Sequence, residues 1–332
     1  MHQEDYHYSR LLREYEETRA RHLHEQKQRR DHIYGVLPEF ARLDRQIAES
    51  SVSAARAALD GDTAALDRLA ADNRKISEEK QALLQAAGYP ADYLELTYTC
   101  PDCKDTGFLG REKCHCFKQA LTFALSEAST LPHLLEKENF STFSFSYYDD
   151  MTADSQLQLT PRENMRKIVT DANRFVEEFD EKSRSILIYG NTGVGKTFLT
   201  NCIAKALLDT AHHVVYLTSH ALFETFEAHR FDHGEQPEQS SLYHYIFHSD
   251  LLIIDDLGTE LSNSFTNSML YTCINERQLH GKSTVISTNL SLEQLRDRYS
   301  ERIFSRITGN YTLWKLIGKD IRVLKRMEGS FS

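Results

Sequence analysis

Hydrophobic positions in the first 96 residues recur at helical intervals. Phe40, Leu43 and Ile47 share one face, and Leu66, Leu69, Ile76 and Leu83 keep a heptad-like register with Asn73 and Lys80 between them. Only three Gly or Pro residues precede the Gly88-Tyr89-Pro90 break, so the pattern predicts nearly unbroken helix with one early interruption at Gly35 to Pro38. Such helices bury an apolar face either on one another in a small bundle or on a partner. The basic run from Arg19 to Arg30 is interrupted by Glu25 and Asp31 and reads as a solvated face.

The pattern changes further along. Residues 119–160 predict a helix and then an aromatic, Ser-rich connector carrying Phe140, Phe143, Phe145, Tyr147 and Tyr148. Thr160-Pro161-Arg162-Glu163 matches a capping box, opening a helix to about Phe179 with Ile168, Ala172 and Phe175 on one face. Helical segments then separate five apolar runs: Ser185 to Tyr189, His213 to Leu217, Leu251 to Ile254, Thr284 to Ser287 and Tyr311 to Ile317. That rhythm predicts a parallel α/β sheet covered on both faces. The transitions suggest a helical region over 1–96, a cysteine-bearing unit over 97–118, a helix and linker over 119–160 and an α/β domain over 161–332.

Composition adds limits. At 332 residues, 40% hydrophobic and 27% charged, the chain can bury a sizeable core. No run approaches the roughly 18 apolar residues of a membrane span, and the N-terminus lacks an apolar signal core, so a soluble cytoplasmic protein is expected. The net charge of −10 argues against a generic nucleic-acid coat protein, yet it is unevenly spread. Residues 1–96 hold 14 basic and 18 acidic groups, whereas residues 296–326 hold nine basic against three acidic ones.

Directly after the strand-like ILIYG stands Gly190-Asn191-Thr192-Gly193-Val194-Gly195-Lys196-Thr197, followed by a helical segment. This is G-x-x-x-x-G-K-[ST] in strand–loop–helix context, where backbone N–H groups cradle phosphates, the Lys reaches the β and γ phosphates and the Thr hydroxyl holds Mg²⁺. The run Leu251 to Asp256 supplies the carboxylates such a site needs: Asp255 for Mg²⁺ and Asp256 in the position of the water-activating acid. Asn289, closing the fourth apolar run, either orients water or simply forms a turn. The arginines of 296–326 either stabilise phosphoryl-transfer charge or line a solvated basic helix.

Cys100-Pro101-Asp102-Cys103 and Cys114-His115-Cys116 form a C-x₂-C and C-x-C pair suited to a tetrahedral, structural Zn²⁺ site. His115 is an alternative ligand, and an iron–sulfur cluster or buried thiols are the other readings. Cys202 and Cys273 read as core thiols.

Assembled, these residues resemble AAA+ ATPases of the DnaC/DnaI helicase-loader type, and are similar also to the IstB transposition ATPases, over about residues 140–326. GNTGVGKT matches Walker A, DLLIIDDLGTE Walker B, STVISTNLSLEQL sensor 1, YSERIFSRI the arginine-finger region, and KDIR a sensor-2-like element. The resemblance implies a P-loop NTPase with an AAA+ core and no C-terminal lid domain, preceded by a helical region and a small zinc-binding module. It implies roles for Lys196 and Thr197 on phosphate and Mg²⁺, Asp255 on Mg²⁺, Asp256 as catalytic acid, Asn289 as sensor 1, Arg302 as trans-acting finger with Arg306 the second choice, and Arg322 as sensor 2. Asp256 departs from the commoner Glu, which bears on hydrolysis rate.

The implied activity is ATP-dependent loading of a DnaB-type helicase hexamer, with single-stranded DNA binding and self-association through the AAA+ domain. A zinc-stabilised N-terminal region is similar to the DnaI-like loaders and is generally lacking in IstB proteins. The alternatives are an IstB-like or phage-encoded ATPase delivering a transposase or other protein to DNA, and a nucleotide-dependent scaffold with little turnover. The segment His220 to His248 is where loaders carry an extra helical element. Its Glu224, Glu227, Glu235 and Glu238 make protein contact or core packing the expectation there, despite Phe223, Phe226, Arg230 and Phe231.

Overall fold

The computed structural model describes residues 3–59, 65–125, 131–231 and 241–329; Glu235 and Glu238, and the side chains of Leu66 and Phe231, lie outside the described residues. The chain divides into two compact units, residues 12–110 and residues 1–11 with 111–332.

The first unit is built on α1 (Gln3–Val36), α2 (Pro38–Leu59) and α3 (Ala65–Ala86). Pro38 lacks an N–H and therefore opens α2 where no intrahelical partner would be available, so the interruption narrows to Leu37. Ile33, Phe40 and Leu84 are buried together, with Tyr34, Leu37, Tyr89, Tyr93 and Leu94 around them. Lys80, a polar residue in the apolar register, pairs with Asp44, and its ammonium stands 4.8 Å from the Phe40 ring centre. The Tyr34 hydroxyl donates to the same Asp44 at 2.6 Å. After α3 the chain turns back on α1: Gln26 and Arg29 donate to the carbonyls of Leu94 and Glu95 at 3.0 and 2.9 Å.

A short hairpin follows, β1 (Phe108–Leu109) and β2 (Glu112–Lys113). In the second unit α4 (His115–Leu125), α5 (Leu131–Lys137) and α6 (Pro161–Glu177) lead into β3 (Ser185–Gly190), α7 (Lys196–Asp209), β4 (Val214–Thr218), α8 (Ser219–Phe231), α9 (Ser241–His248) and β5 (Leu251–Leu257). Then come α10 (Ser264–Leu279), β6 (Ser283–Thr288), α11 (Leu292–Arg298), α12 (Glu301–Asn310), β7 (Tyr311–Leu316) and α13 (Ile321–Gly329). The five strands β3–β7 form one sheet in the order β4-β5-β6-β3-β7, every pair parallel.

Burial explains the apolar runs. Every residue of β6 and all but one of β5 are buried, as a sheet covered on both faces requires. Helix α6 has the full capping box between Thr160 and Glu163 and buries Met165, Ile168, Ala172 and Phe175. The edge strand β4 is covered by a side chain acting as a strand mimic: the Gln119 amide donates to Val214 O and accepts from Val214 N, both at 2.9 Å. In the 220–248 segment Phe223 and Phe226 are buried, and Phe226 packs on Tyr243 and Phe247. Cys202 and Cys273 are fully buried, where burial pushes both thiols up to about 12. No helix among the described residues is long and apolar enough to cross a membrane.

Candidate functional site

The carboxyl ends of β3, β5 and β6 meet around the loop from Gly190 to Gly195, at the side of a parallel sheet where α/β proteins form their ligand crevices. Two glycines make that loop possible. Gly193 has φ +77°, and a Cβ there would lie 2.1 Å from the Asp320 carboxylate. Gly195 has φ +97°, and its Cβ would lie 2.5 Å from the Tyr148 hydroxyl. The loop is held from outside: Tyr148 OH donates to Val194 O at 3.2 Å, and Ile321 N donates to Gly193 O at 2.9 Å. Gly195 caps α7 without a side chain, which leaves the first N–H groups of the helix to an anion.

Lys196, only 5% exposed, donates to Gly190 O at 2.9 Å, Asn191 O at 2.8 Å and Asn289 Oδ1 at 2.5 Å. Its three acceptors are neutral, and burial pulls its pKa below the ordinary lysine value despite the opposing charges of Asp256 and Asp255. The Thr197 hydroxyl donates to Asp255 at 3.1 Å. Asp255 also accepts from Tyr216 OH at 3.0 Å and from the Ser287 hydroxyl.

Asp256 sits differently. Between Ile254 and Leu257 the β5–β6 register slips, since three steps along β5 answer two along β6. In that bulge Asp256 takes φ +55°. Its N–H donates to Ser287 Oγ at 2.9 Å, and its carboxylate receives the Asn289 amide at 3.4 Å. Burial first, then the neighbouring Asp255, raise the Asp256 pKa above its ordinary value.

Lys196, Thr197, Asp256 and Asn289 open on a cleft of about 400 Å³, large enough for a nucleotide-sized ligand, with Asp255 held behind Thr197. The loop and Arg322 line it with them, as do Phe143, Tyr147 and Tyr148 of the aromatic connector. Arg322 is exposed and paired with Asp320 at 3.3 Å. Arg302, on the exposed first turn of α12, is not among the residues lining the cleft; Arg306 donates to Gln278 at 3.4 Å. Asn191 and Thr192 are exposed at the loop's tip and Val194 is fully buried beneath it. The sequence pattern assigns no site role to Ser287, Tyr216 or Tyr148. The available signal for the first two was a hydroxyl inside an otherwise apolar strand.

The cysteines gather within one short stretch of chain: the thiols of Cys100, Cys103, Cys114 and Cys116 lie within 4.8 Å of one another. His115 also comes within that distance of Cys100 and Asp102. Lys104 and Asp105 take φ +52° and +57°, turning the chain so that Gly107 N donates to Cys103 Sγ at 3.3 Å. The buried Asp105 carboxylate accepts from Thr99 N, Cys100 N and His22 Nδ1 at 3.0, 2.7 and 3.0 Å. An all-thiol set with N–H···S support fits Zn²⁺.

Residues 121–307, more than half of the chain, match the family described as IstB-like ATP binding protein. The chain belongs to the IstB-like ATP-binding protein family. Its second unit accordingly has the AAA+ P-loop fold. This IstB-like chain is 25% identical over 158 residues to the replicative helicase loader DnaC of Escherichia coli K12, a stretch covering 48% of this chain and 64% of DnaC. It is 24% identical over 152 residues to DnaC of Buchnera aphidicola from Schizaphis graminum, covering 46% of this chain and 61% of that one. The match thus spans less than two thirds of these relatives. The crystal structure of the DnaC helicase loader is similar with a TM-score of 0.44 at 22% identity, covering 55% of this chain and 99% of that chain.

Proposed function

We propose that the cleft binds ATP with Mg²⁺ and that the chain is a cytoplasmic, ATP-hydrolysing helicase loader in DNA replication, gripping a hexameric DnaB-type helicase and single-stranded DNA. The observation that carries the nucleotide part is the convergence of Lys196, Thr197 and the Asp256–Asn289 pair on one cleft, with Asp255 bonded to Thr197 behind it. Phosphate oxygens replace the neutral acceptors of Lys196 and meet the open N-terminus of α7. Thr197 and Asp255 would hold Mg²⁺, which when bound neutralises phosphate charge. Asp256 takes a proton from water, Asn289 orients that water, and Arg322 meets the phosphates. Arg302 of a second copy completes the site, so turnover needs self-association.

The loader part is supported by the name of the relatives matching the ATP-binding domain. Delivery of a transposase to DNA is the second reading, favoured by the family match itself. Cys100, Cys103, Cys114 and Cys116 would hold a structural Zn²⁺.

The test is nucleotide affinity and ATP turnover against protein concentration. Lys196→Ala is expected to weaken nucleotide binding by about a hundredfold. Arg302→Ala is expected to bind normally and lose at least about a hundredfold in turnover. Normal affinity in the first variant overturns the phosphate-loop roles. A per-subunit rate independent of both concentration and Arg302 overturns the trans arginine. Co-elution with purified DnaB-type helicase, rather than with a transposase, decides between the two readings.

A further inference from the structure

The loop that follows Asp256 and the turn that precedes Arg302 share a buried carboxylate. Glu260, in the β5–α10 loop, is 5% exposed. One carboxylate oxygen accepts from Gly258 N at 2.8 Å, and the other accepts from the Tyr299 hydroxyl and lies 3.6 Å from Arg298 Nε. Arg298 also donates through Nη2 to the Glu260 carbonyl. Burying a carboxylate is costly, and here burial alone would raise its pKa, yet the bonds from Tyr299 and Gly258 hold it below the ordinary value.

Each end of this connection is tied down. Toward the cleft, the Asp256 carbonyl accepts from Thr259 Oγ1 at 2.9 Å and Ser219 Oγ at 3.1 Å. Asp256 and Gly258 take φ +55° and +105°, so this loop has one tightly specified path. Toward α12, Ser262 Oγ donates to Arg298 O at 3.3 Å, and Asn267 Oδ1 accepts from Ser300 N at 3.3 Å. Ser300 caps α12 by accepting from Ile303 N, and Arg302 stands in that first turn.

We propose that Glu260 is a positioning residue that couples the Asp256 loop to the α11–α12 junction, so that nucleotide state in the cleft sets the orientation of the Arg302 turn offered to a second copy. The proposal rests on the nucleotide reading of the cleft. A displacement of Asp256 by the γ-phosphate or its attacking water moves Gly258 and Thr259, and the buried carboxylate carries that shift to Tyr299 because its two oxygens serve the two elements separately. Glu260 touches no reacting atom; it acts through Asp256 on one side and Arg302 on the other.

The experiment is amide hydrogen exchange of the full chain with and without a non-hydrolysable ATP analogue and Mg²⁺, for the native protein, Glu260→Gln and Tyr299→Phe, with steady-state ATP turnover alongside. Native protein is expected to show about tenfold slower exchange at residues 299–303 on binding the analogue. Both variants are expected to bind it within about twofold, to lose that response, and to lose about tenfold in kcat at unchanged KM. Tyr299→Phe removes one hydroxyl and decides the matter if Glu260→Gln fails to fold. Retention of the nucleotide-dependent protection in the folded variants overturns the coupling, as does analogue binding by native protein with no change at 299–303. Failure of native protein to bind the analogue overturns the cleft reading and this proposal together.

Discussion

Asp255 and Asp256 end β5 side by side, and the bulge between Ile254 and Leu257 turns them into different surroundings. The Asp255 carboxylate is ringed by the hydroxyls of Thr197, Tyr216 and Ser287, whereas the Asp256 carboxylate accepts a long bond from Asn289. A general base should have a raised pKa and few hydrogen bonds to lose, and Asp256 has both. The sign of its pH dependence follows. With its folded pKa above its unfolded one, Asp256 favours the folded state when protonated, and this contribution is lost as pH rises through the folded pKa. On the proposed role of Asp256 as general base, turnover needs the carboxylate and is expected to be lost in the opposite direction, as pH falls through the same value. Asp256→Asn is therefore expected to raise the melting temperature at neutral pH while lowering kcat at least about a hundredfold. Thermal unfolding and turnover measured on one preparation check both, and a lower melting temperature with intact turnover contradicts the assignment.

At the scale of elements, polar groups inside β6 and its neighbours do the joining. Arg277 of α10 is fully buried and is pushed down to about 10 by burial, so it remains charged at neutral pH. It donates to Ile246 O, Ser249 O, Ser249 Oγ, Ser283 O and Thr284 Oγ1, tying the end of α9, the entry to β5 and the start of β6 to α10. Arg277→Met keeps the volume and strands these buried acceptors, so a loss of about 3 kcal/mol in unfolding free energy is expected, read by urea denaturation. The cleft lies at the other end of β5 and β6, and nucleotide affinity of the folded variant should stay within about twofold. No local pattern marks Arg277 as buried: in NERQL it looks like any basic residue near a helix C-terminus. Only the packing of α9 and α10 over the sheet removes it from water.

For the molecule as a whole, the net charge of −10 is a poor guide, because nine of its basic groups fall in residues 296–326, some of them beside the cleft. The thiol cluster predicts a metal content near one Zn²⁺ per chain. Chelation is expected to speed amide exchange at Thr99, Cys100 and Gly107 by about tenfold or more, since metal binding and local folding are linked. Metal-free protein with unchanged exchange there contradicts the site. What the sequence by itself determined was local: helix against strand, the capping box of α6, the glycine loop between β3 and α7, and the close spacing of the cysteines. Each is written within a few residues, because a backbone conformation or a side-chain period answers to near neighbours. The tertiary structure alone decided the order β4-β5-β6-β3-β7, which brings Asn289 to Lys196, and the bulge that separates Asp256 from Asp255. It alone decided the burial of Ser287, Arg277 and Glu260 among polar partners distant in sequence. Strand neighbours are chosen by which packing buries the most apolar surface while leaving few buried polar groups unpaired, and that balance is struck over the entire domain.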